Sequence, residues 1–522
     1  MRRGVVLTAG AGLYALLYAL CSQIDQAHTV QAALVLPRFL LAFPVALAAL
    51  LLLFKYVLPQ LTCAGPERAE KRFCTSGAFI LLGAVYGGMF LIFYPGSFMY
   101  DTQRQVTQIA YHDYDMFHPL LHTLLIRACL SAANLLGSME KCAALYSVIQ
   151  LTMTSACFAG VCASISRMYG RRAARVSLGF FALYPAHMAF ASNCTKDTLF
   201  SAFLALFFAL CFEGQMCGGL SGWHRALRLV SGVLACLLRN NMIYAMAVWC
   251  VYLLLFCRRC RQLAVCGALS VVLAFCGQAA LQYATHARDG NIVEMMSVPI
   301  QQLSRARLVA PECFTPEEAA LMDEVFVDSW YGASQPLYEF YEPTLADPVK
   351  NYLDEALVKA RFSELAAMWL HVGQRCPGVY LDAFLELALP SLYPYSRYRG
   401  VHPYIETGLQ PGVVTAPYGQ PPMTQPARFE GIRRFLQTHI YETGADSVPL
   451  LRWLMNTGAV FWFLLMLLLY ALYDGCGKRL ALLLLPVLLY GTYLLGPVMQ
   501  GRYLYPFVCV LPLFVFRKKQ AA

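Results

Sequence analysis

Long runs of apolar residues alternate with short polar clusters along most of this 522-residue chain. Runs such as Gly4–Cys21, Ser76–Phe93 and Trp453–Tyr473 approach the roughly 20 residues that cross a hydrocarbon core as a helix. Because backbone groups in lipid must form their hydrogen bonds within their own segment, these runs predict helices. The pattern is therefore typical of an all-α integral membrane protein, and the first run is interpreted as a retained span.

About twelve transmembrane helices fit between the polar clusters. They are predicted at residues 4–22, 32–57, 75–94, 139–166, 176–192, 197–213, 226–240, 241–257, 262–285, 450–473, 479–497 and 503–516. Segment 226–240 is short and ends in Arg239-Asn240-Asn241, so it is either a span or a half-helix that turns back. Segment 119–136 carries His122 and Arg127, and it is either a span or a helix lying at the membrane interface.

Composition and charge refine this picture. Hydrophobic residues make up 59% of the chain and charged residues only 13%, whereas soluble domains average about 25% charged residues. Residues 286–449, called the middle region below, contain 20 of the 30 acidic residues but only 12 of the 40 Lys and Arg residues. Basic loops stay in the cytoplasm. The remaining basic clusters therefore predict cytoplasmic termini and loops, and the middle region is predicted to be extracytoplasmic.

The predicted organisation has three parts. Residues 1–285 form a transmembrane module whose first outer loop is 95–138, residues 286–449 form one large and mainly helical domain, and residues 450–522 add the last spans. Helical periodicity within the middle region occurs at Pro316–Phe326 and Pro348–Val372, and 391–425 is predicted to be irregular because it is rich in Tyr, Pro and Gly. We expect a bilayer as partner and no nucleic acid.

The 20 cysteines do not resemble a disulfide framework. Many of them lie inside apolar runs, where Cys behaves as a small hydrophobic residue. Cys257 and Cys260 have CxxC spacing but no second pair nearby, so the sequence predicts neither a zinc site nor redox chemistry there.

A first candidate for chemistry is Asp101, which follows Tyr94-Pro95-Gly96-Ser97-Phe98-Met99-Tyr100 at the end of the third predicted span. Pro-Gly ends the helix, so the carboxylate is expected just above the membrane. A carboxylate in that position can take a proton from an attacking hydroxyl. The alternative is that Asp101 caps the polar helix that begins there.

A second candidate is the run from His112 to His122, which contains Asp113, Asp115 and His118. Imidazoles and carboxylates at this density can bind a divalent ion, and His118 and His122 share a face if Pro119 opens a helix. The spacing matches no familiar metal motif. The favoured interpretation is that these residues anchor an interfacial helix, and no metal ligand is assigned.

Three further cationic positions fall on the same predicted side of the membrane. Lys196 and Asp197 lie between two spans, where ionisable residues favour a functional role; the alternative is a turn with a local ion pair. Arg239 and Arg502 lie near the outer edge of the membrane, where a guanidinium can bind phosphate oxygens. Snorkelling to lipid headgroups is the alternative for both arginines.

These motifs together resemble polytopic glycosyltransferases of the GT-C fold. The resemblance is carried by Tyr94–Asp101, by His118-Pro-x-x-His122, by Thr195-Lys196-Asp197 and by Arg502-Tyr-Leu-Tyr-Pro506. It is closest to bacterial members known only as a domain of unknown function, which are also similar at Glu294–Gln302. The resemblance covers most of the chain.

The resemblance implies a transferase that moves a sugar from a polyprenyl-phosphate-linked donor to an envelope polymer, lipid or protein on the outer face of the bacterial cytoplasmic membrane. Asp101 would be the base, and direct displacement would invert the anomeric carbon. The implied substrate-binding residues are Lys196, Asp197, Arg239, Arg502, His118, His122, Tyr100 and Gln302.

One departure from better-known members leaves the use of Mg²⁺ or Mn²⁺ open. Those members have paired acids in the first outer loop, whereas Asp101 is followed by Thr102-Gln103-Arg104. Two other hypotheses fit a twelve-helix chain, namely a transporter or lipid flippase and a scaffold for envelope assembly. Transporters usually have two related halves and charges at mid-membrane, so the outer position of the charges favours surface chemistry.

Overall fold

Helices make up nearly all of the computed structural model, which describes residues 2–63, 73–136, 138–328, 335–396, 413–414, 423–441 and 448–518. Long apolar runs favour this outcome, because a helix satisfies its backbone hydrogen bonds without a partner segment. The strands in the described part are two residues long and pair only in twos. The prediction of an all-α protein is confirmed.

The first part of the chain is a series of helices with three short strands between them. The helices are α1 (Arg2–Ala27), α2 (Ala32–Leu52), α3 (Thr75–Ile92), α4 (Tyr100–Tyr111), α5 (Leu120–Leu136), α6 (Met139–Tyr169), α7 (Arg171–Leu183), α8 (Pro185–Ala191), α9 (Lys196–Met216), α10 (Gly222–Leu238), α11 (Asn240–Phe256) and α12 (Arg261–Thr285). The strands are β1 (Thr62–Cys63), β2 (Ser97–Phe98) and β3 (Asn193–Cys194).

Shorter helices form the middle region, and longer ones return after it. The middle region contains α13 (Ser297–Val309), α14 (Pro316–Val325), α15 (Asp347–Lys350), α16 (Glu355–Ala360), α17 (Phe362–Arg375), α18 (Pro377–Leu392), β4 (Val413–Val414), β5 (Met423–Thr424) and α19 (Glu430–His439). The C-terminal elements are α20 (Pro449–Leu454), α21 (Thr457–Asp474), α22 (Gly477–Tyr493), α23 (Tyr505–Val515) and β6 (Arg517–Lys518). Most of the predicted irregular segment 391–425 lies outside the described residues.

Seven helical segments of the described part are long and apolar enough to cross a bilayer. They are Arg2–Ala27, Ala32–Leu61, Thr75–Ile92, Glu140–Tyr169, Lys196–Met216, Arg258–Thr285 and Thr457–Asp474. Shorter apolar helices occur at Leu120–Ala133, Asn240–Phe256 and Gly501–Val515. The chain is therefore a multi-pass membrane protein, while the number of twelve spans stays a prediction.

Two predicted spans are interrupted in the structure. Segment 176–192 is divided into α7 and α8, because Pro185 restricts Tyr184 to an extended conformation and lacks the N–H that a continuous helix needs. Segment 450–473 is divided into α20 and α21, and the Asn456 side chain accepts the first free N–H of α21, from Ala459, at 2.9 Å. Helix ends therefore occur inside two apolar runs.

Helix α9 is the central helix of the bundle. It packs against α6, α10 and α23, and its residues are buried on all sides from Lys196 to Glu213, as expected for a helix that is apolar all round. Glu213 pairs with Arg167 of α6 at 2.6 Å. At 1.5 Å per residue, Lys196 and Glu213 lie roughly 25 Å apart, so they mark opposite ends of the bundle.

Basic side chains gather at the Glu213 end, which we call the basic end. Lys478 donates to the Gln215 carbonyl at 3.2 Å, and Arg479 donates to the Tyr169 hydroxyl at 3.4 Å. Arg517 pairs with Asp474 at the end of α21. Clusters that are far apart in sequence thus meet at one end of the bundle.

The middle region has its own core and contacts the bundle at several places, for example through two attachments to backbone carbonyls of the bundle. Its core includes Ile300, Met322 and Val372. In the first attachment, Arg305 pairs with Glu386 of α18 at 2.5 Å and also donates to a carbonyl between α1 and α2. In the second, the Ala346 N–H donates to the Pro497 carbonyl at 2.8 Å. The second attachment holds the segment that leads into Arg502.

Candidate functional site

A short parallel strand pair brings two distant segments together beside the N-terminus of α9. Phe98 of β2 is in register with Cys194 of β3, and the Thr102 hydroxyl donates to the Cys194 carbonyl at 2.5 Å. Gly96 has a φ of +104°, and a Cβ there would clash with the Ser147 hydroxyl. The close turn that presents Asp101 to Lys196 therefore requires glycine.

Asp101 lies between two cations. Its carboxylate forms an ion pair with Lys196, and Arg502 donates to its other oxygen at 3.3 Å. The capping alternative is wrong, because α4 has Met99 at its N-cap and no side chain accepts a hydrogen bond there. Asp101 is therefore positioned by α4 for contact with other elements.

A second ion pair lies beside the first. Arg239, at the junction of α10 and α11, pairs with Asp197, and its guanidinium carbon lies 4.6 Å from the ring centroids of both Tyr493 and Tyr503. Lys196 and Asp197 thus pair with distant residues, so the alternative of a local ion pair in their turn is wrong.

Snorkelling is also wrong for both arginines. Arg239 is 8% exposed and Arg502 is 5% exposed, and the Arg502 guanidinium lies over the Tyr503 ring at 5.2 Å. A snorkelling side chain would extend its charge to water. Asp101, Lys196, Asp197, Arg239 and Arg502, called the charged cluster below, instead lie together in the interior.

Cations exceed carboxylates in the charged cluster by one. Within the described part of the chain, the Nε and Nη1 atoms of Arg502 are buried and have no hydrogen-bond partner. A buried donor without a partner is costly, especially when it is charged. An anion that accepted from Arg502 would remove this cost, and phosphate oxygens match a guanidinium well.

The surroundings set the protonation of Asp101 and His118. Burial raises the pKa of Asp101, but Lys196 and Arg502 outweigh it and hold that pKa well below the usual range. Burial and then Lys196 hold the pKa of His118 well below its usual range, and its Nδ1 lies 3.5 Å from Lys196 Nζ. Asp101 is therefore ionised and His118 neutral at pH 7.

Two other predicted site residues, His122 and Gln302, form their hydrogen bonds outside the charged cluster. His122 is fully buried and bonds to the Gln105 side-chain oxygen at 2.7 Å and to the Tyr146 hydroxyl at 2.6 Å. Gln302 accepts from the Trp369 indole at 2.7 Å and donates to a carbonyl of α18 at 3.2 Å. The Tyr100 side chain lies outside the described residues. Gln302 thus belongs to the core of the middle region.

The acids of this site do not fit a resident divalent cation. Asp101 and Asp197 are paired with cations, and Asp113 and Asp115 pair with Arg288 and Arg104. In the described part of the chain, no group of three His, Cys, Asp or Glu residues is placed to hold a metal ion. Each of these four carboxylates is instead paired with a basic side chain.

Three residues near the charged cluster were not singled out from the sequence. Tyr503 follows Arg502 in the quoted motif, so a signal was present. Thr102 follows Asp101, but its role depends on the pairing of β2 and β3. Tyr493 is one of many aromatic residues in apolar runs, and nothing in the sequence distinguishes it.

The fold and the charged cluster define a class, that of multi-pass α-helical membrane proteins with a buried polar site at one end of the bundle. The model of DUF6020, a family of unknown function, matches residues 115–521. The chain belongs to this family. The matched residues include Lys196, Arg239 and Arg502, whereas Asp101 precedes them. No curated protein and no solved structure matches the chain.

Proposed function

We propose that this protein is a membrane glycosyltransferase that moves a sugar from a polyprenyl-phosphate-linked donor to an envelope acceptor. The acceptor is a polymer, a lipid or a protein that presents a hydroxyl group. The reaction takes place on the outer face of the bacterial cytoplasmic membrane. This proposal joins the resemblance of the motifs to GT-C enzymes with the chemistry of the charged cluster.

The location of the basic residues supports this orientation. The basic end of the bundle contains Arg167, Arg479 and Arg517, and the charged cluster lies at the other end of α9. Since loops with excess Lys and Arg stay in the cytoplasm, the charged cluster faces outward. The proposed topology has about twelve crossings, cytoplasmic termini and an extracytoplasmic middle region.

The observation that carries the proposal is the arrangement of Lys196 and Arg502 around Asp101, with two guanidinium nitrogens of Arg502 left without a partner among the described residues. A lipid-linked sugar phosphate supplies the anion that these donors lack. It also has to be bound at the edge of the bilayer, which is where helices α9 and α23 begin.

In the proposed reaction the acceptor hydroxyl attacks the anomeric carbon of the donor. Its proton passes to an oxygen of Asp101, the new C–O bond forms, and the bond from the anomeric carbon to the phosphate oxygen breaks. The electron pair remains on the polyprenyl phosphate, where Lys196 and Arg502 stabilise the developing charge. A single displacement inverts the anomeric configuration.

Donor binding has a second effect in this mechanism. In the free protein Lys196 and Arg502 hold the pKa of Asp101 well below its usual range, which makes the carboxylate a weak base. A phosphate shares those two cations and adds a negative charge nearby, and both changes raise the pKa. Asp101 thus becomes an effective base only when the donor is present.

Arg239 and Asp197 have a positioning role in this proposal. Their ion pair is buried, and the Tyr503 ring contacts the guanidinium groups of both Arg239 and Arg502. Arg239 therefore acts on the donor through Tyr503 and Arg502. The expectation that Arg239 itself contacts phosphate stays a prediction.

The test is to reconstitute the full chain in lipid nanodiscs with a panel of polyprenyl-phosphate sugars and to follow release of the lipid phosphate. Wild type is expected to release it from at least one donor, and Asp101→Asn is expected to bind that donor without turnover. A transporter or scaffold would give no release with any donor, and transport by Asp101→Asn would continue. That result would overturn the proposal.

A further inference from the structure

The middle region contains two of the 20 cysteines of the chain, Cys313 and Cys376. They are far apart in sequence, but the fold brings their segments together. Burial, and then the neighbouring Cys313 thiol, raise the pKa of the Cys376 thiol to about 12. The surrounding contacts agree, since Arg375 donates to the Cys313 carbonyl at 2.7 Å and pairs with Glu318 of α14 at 2.5 Å.

Both thiols belong to one packed layer. Cys376 is part of the core of the middle region, and Cys313 packs against that core. Cys313 ends the short helical turn before α14, and Cys376 lies between α17 and α18. A bond between them would tie the first half of the middle region to the helix that enters the transmembrane bundle.

We infer that Cys313 and Cys376 form a disulfide bond in the protein as it exists in the cell. The inference rests on the proposed topology, because disulfides persist in oxidising compartments such as the space outside the cytoplasmic membrane and are rare in the cytosol. It refines the expectation from sequence: the cysteines form no framework, and one pair is nevertheless bonded.

The oxidant is the disulfide of a thiol–disulfide oxidoreductase on the outer side. The Cys313 thiolate, which is the more accessible of the two, attacks one sulfur of that disulfide and releases the other as a thiolate. Cys376 then attacks the Cys313 sulfur and displaces the second oxidoreductase thiolate. Two protons leave the two cysteines, and their two electrons reduce the oxidoreductase to its dithiol.

A second close pair in the same chain provides an internal control. The sulfurs of Cys257 and Cys260 are 2.9 Å apart, so proximity alone would favour a bond there too. This pair follows α11, whose first residue adjoins Arg239 of the charged cluster, and it therefore lies toward the basic end. The proposed topology places it on the reducing side, where it stays as thiols.

The experiment uses the full chain in bacterial membranes. Free thiols are alkylated in denaturant, the protein is digested without reductant, and the peptides are identified by mass spectrometry. We expect a linked peptide pair that contains Cys313 and Cys376, two hydrogen atoms lighter than the separate peptides, with Cys257 and Cys260 recovered alkylated. Recovery of Cys313 and Cys376 as alkylated thiols would overturn the inference.

Two variants verify the assignment. Cys313→Ser should eliminate the linked peptide and leave Cys376 alkylated, and Cys257→Ser should leave the linked peptide unchanged. The decisive measurement is on the wild type, so a folding defect in either variant does not affect it. A linked peptide that persisted in Cys313→Ser would contradict the pairing.

Labelling of intact cells tests the disulfide bond and the proposed topology separately. A membrane-impermeant maleimide should modify Cys313 only after an impermeant phosphine has reduced the bond. Modification from outside without reductant would overturn the disulfide and leave the topology standing. Modification only after permeabilisation would overturn both, and with them the outward-facing site. The lipid-phosphate assay tests the transferase independently of either result.

Discussion

Each end of α9 has a buried carboxylate that is paired with a basic side chain, but the two ends differ in how completely the paired groups are satisfied. At the basic end Arg167 donates to both oxygens of Glu213, at 2.6 and 2.7 Å, and Ser164 donates to one of them at 2.8 Å. At the other end Arg502 reaches Asp101 through one nitrogen only, at 3.3 Å, and its other two nitrogens lack partners among the described residues.

This difference separates a structural ion pair from a candidate site. A bidentate pair whose carboxylate oxygens are both engaged holds two helices together and has little capacity for a ligand. A cluster with surplus cations and unmatched donors has that capacity, although it is less stable than a fully paired one. Burial separates the two ends as well, since the Arg167 side chain is 40% exposed and the Arg502 side chain only 6%.

The largest loss of activity is expected when Asp101 is neutralised. Asp101→Asn removes the base and is expected to lower kcat by about 10²–10⁴-fold. Donor binding should persist, because the Asp101 carboxylate no longer competes with the phosphate for Lys196 and Arg502. The measurement is release of lipid phosphate in nanodiscs, with donor affinity determined separately.

Asp113→Asn is the matched control for this variant. Asp113 belongs to the same loop region but pairs with Arg288 on the surface, where its side chain is 58% exposed. Activity within about twofold of wild type is expected, since an exposed ion pair contributes little. Equal loss of turnover in both variants would remove any special role for Asp101.

Exchanging arginine for lysine at each end should give opposite outcomes. Arg502→Lys keeps the charge but loses the planar fork that binds phosphate, so kcat should fall on the order of 10²-fold. Arg167→Lys disturbs only the satisfied pair with Glu213, so it should lower the midpoint of thermal unfolding and leave kcat nearly unchanged. A decrease in kcat from Arg167→Lys alone would reverse the roles of the two ends.

The pH dependence of kcat and kcat/KM tests the role of Asp101 as the base. In the free protein Lys196 and Arg502 hold the pKa of this carboxyl well below its usual range, so kcat/KM should persist to unusually low pH. Bound phosphate raises that pKa, so kcat should be lost at higher pH as the pH falls. We expect the acidic limb of kcat to lie at higher pH than that of kcat/KM. If kcat and kcat/KM declined at the same pH, the proposal that donor binding raises the pKa of Asp101 would be contradicted.

Much of the fold could be predicted because lipid leaves few alternatives to the helix. The helices at 75–92 and 240–256 agree closely with the apolar runs that predicted them. The interruptions at Tyr184 and Asn456 were missed, although Pro185 was visible in the sequence. Apolarity reports that a segment suits a membrane, whereas a helix end depends on one residue and its hydrogen bonds.

The sequence predicted which residues belong to the candidate site, but it did not predict which of them form ion pairs with each other. Asp101, Lys196, Arg239 and Arg502 were selected because each is an ionisable residue beside a span. Their partners could not be read from the sequence, since Arg502 lies 401 positions from Asp101 and meets it only through the packing of α4, α9 and α23. The satisfied pair at Glu213 was not predicted for the same reason.

The smallest effect on activity is expected at Gln302, which the resemblance placed among the substrate-binding residues. Its side chain accepts from Trp369 at 2.7 Å and donates to the Tyr380 carbonyl at 3.2 Å, inside the core of the middle region. Gln302→Met keeps the volume and removes both hydrogen bonds. Because it leaves the partly buried indole N–H of Trp369 without a partner and removes the bond to the Tyr380 carbonyl, the variant should lose about 1–3 kcal/mol of stability, with kcat unchanged. Lipid-phosphate release measures kcat and thermal unfolding measures stability, and both are determined on the same preparation. A fall in kcat at unchanged stability would return Gln302 to the site and extend that site into the middle region.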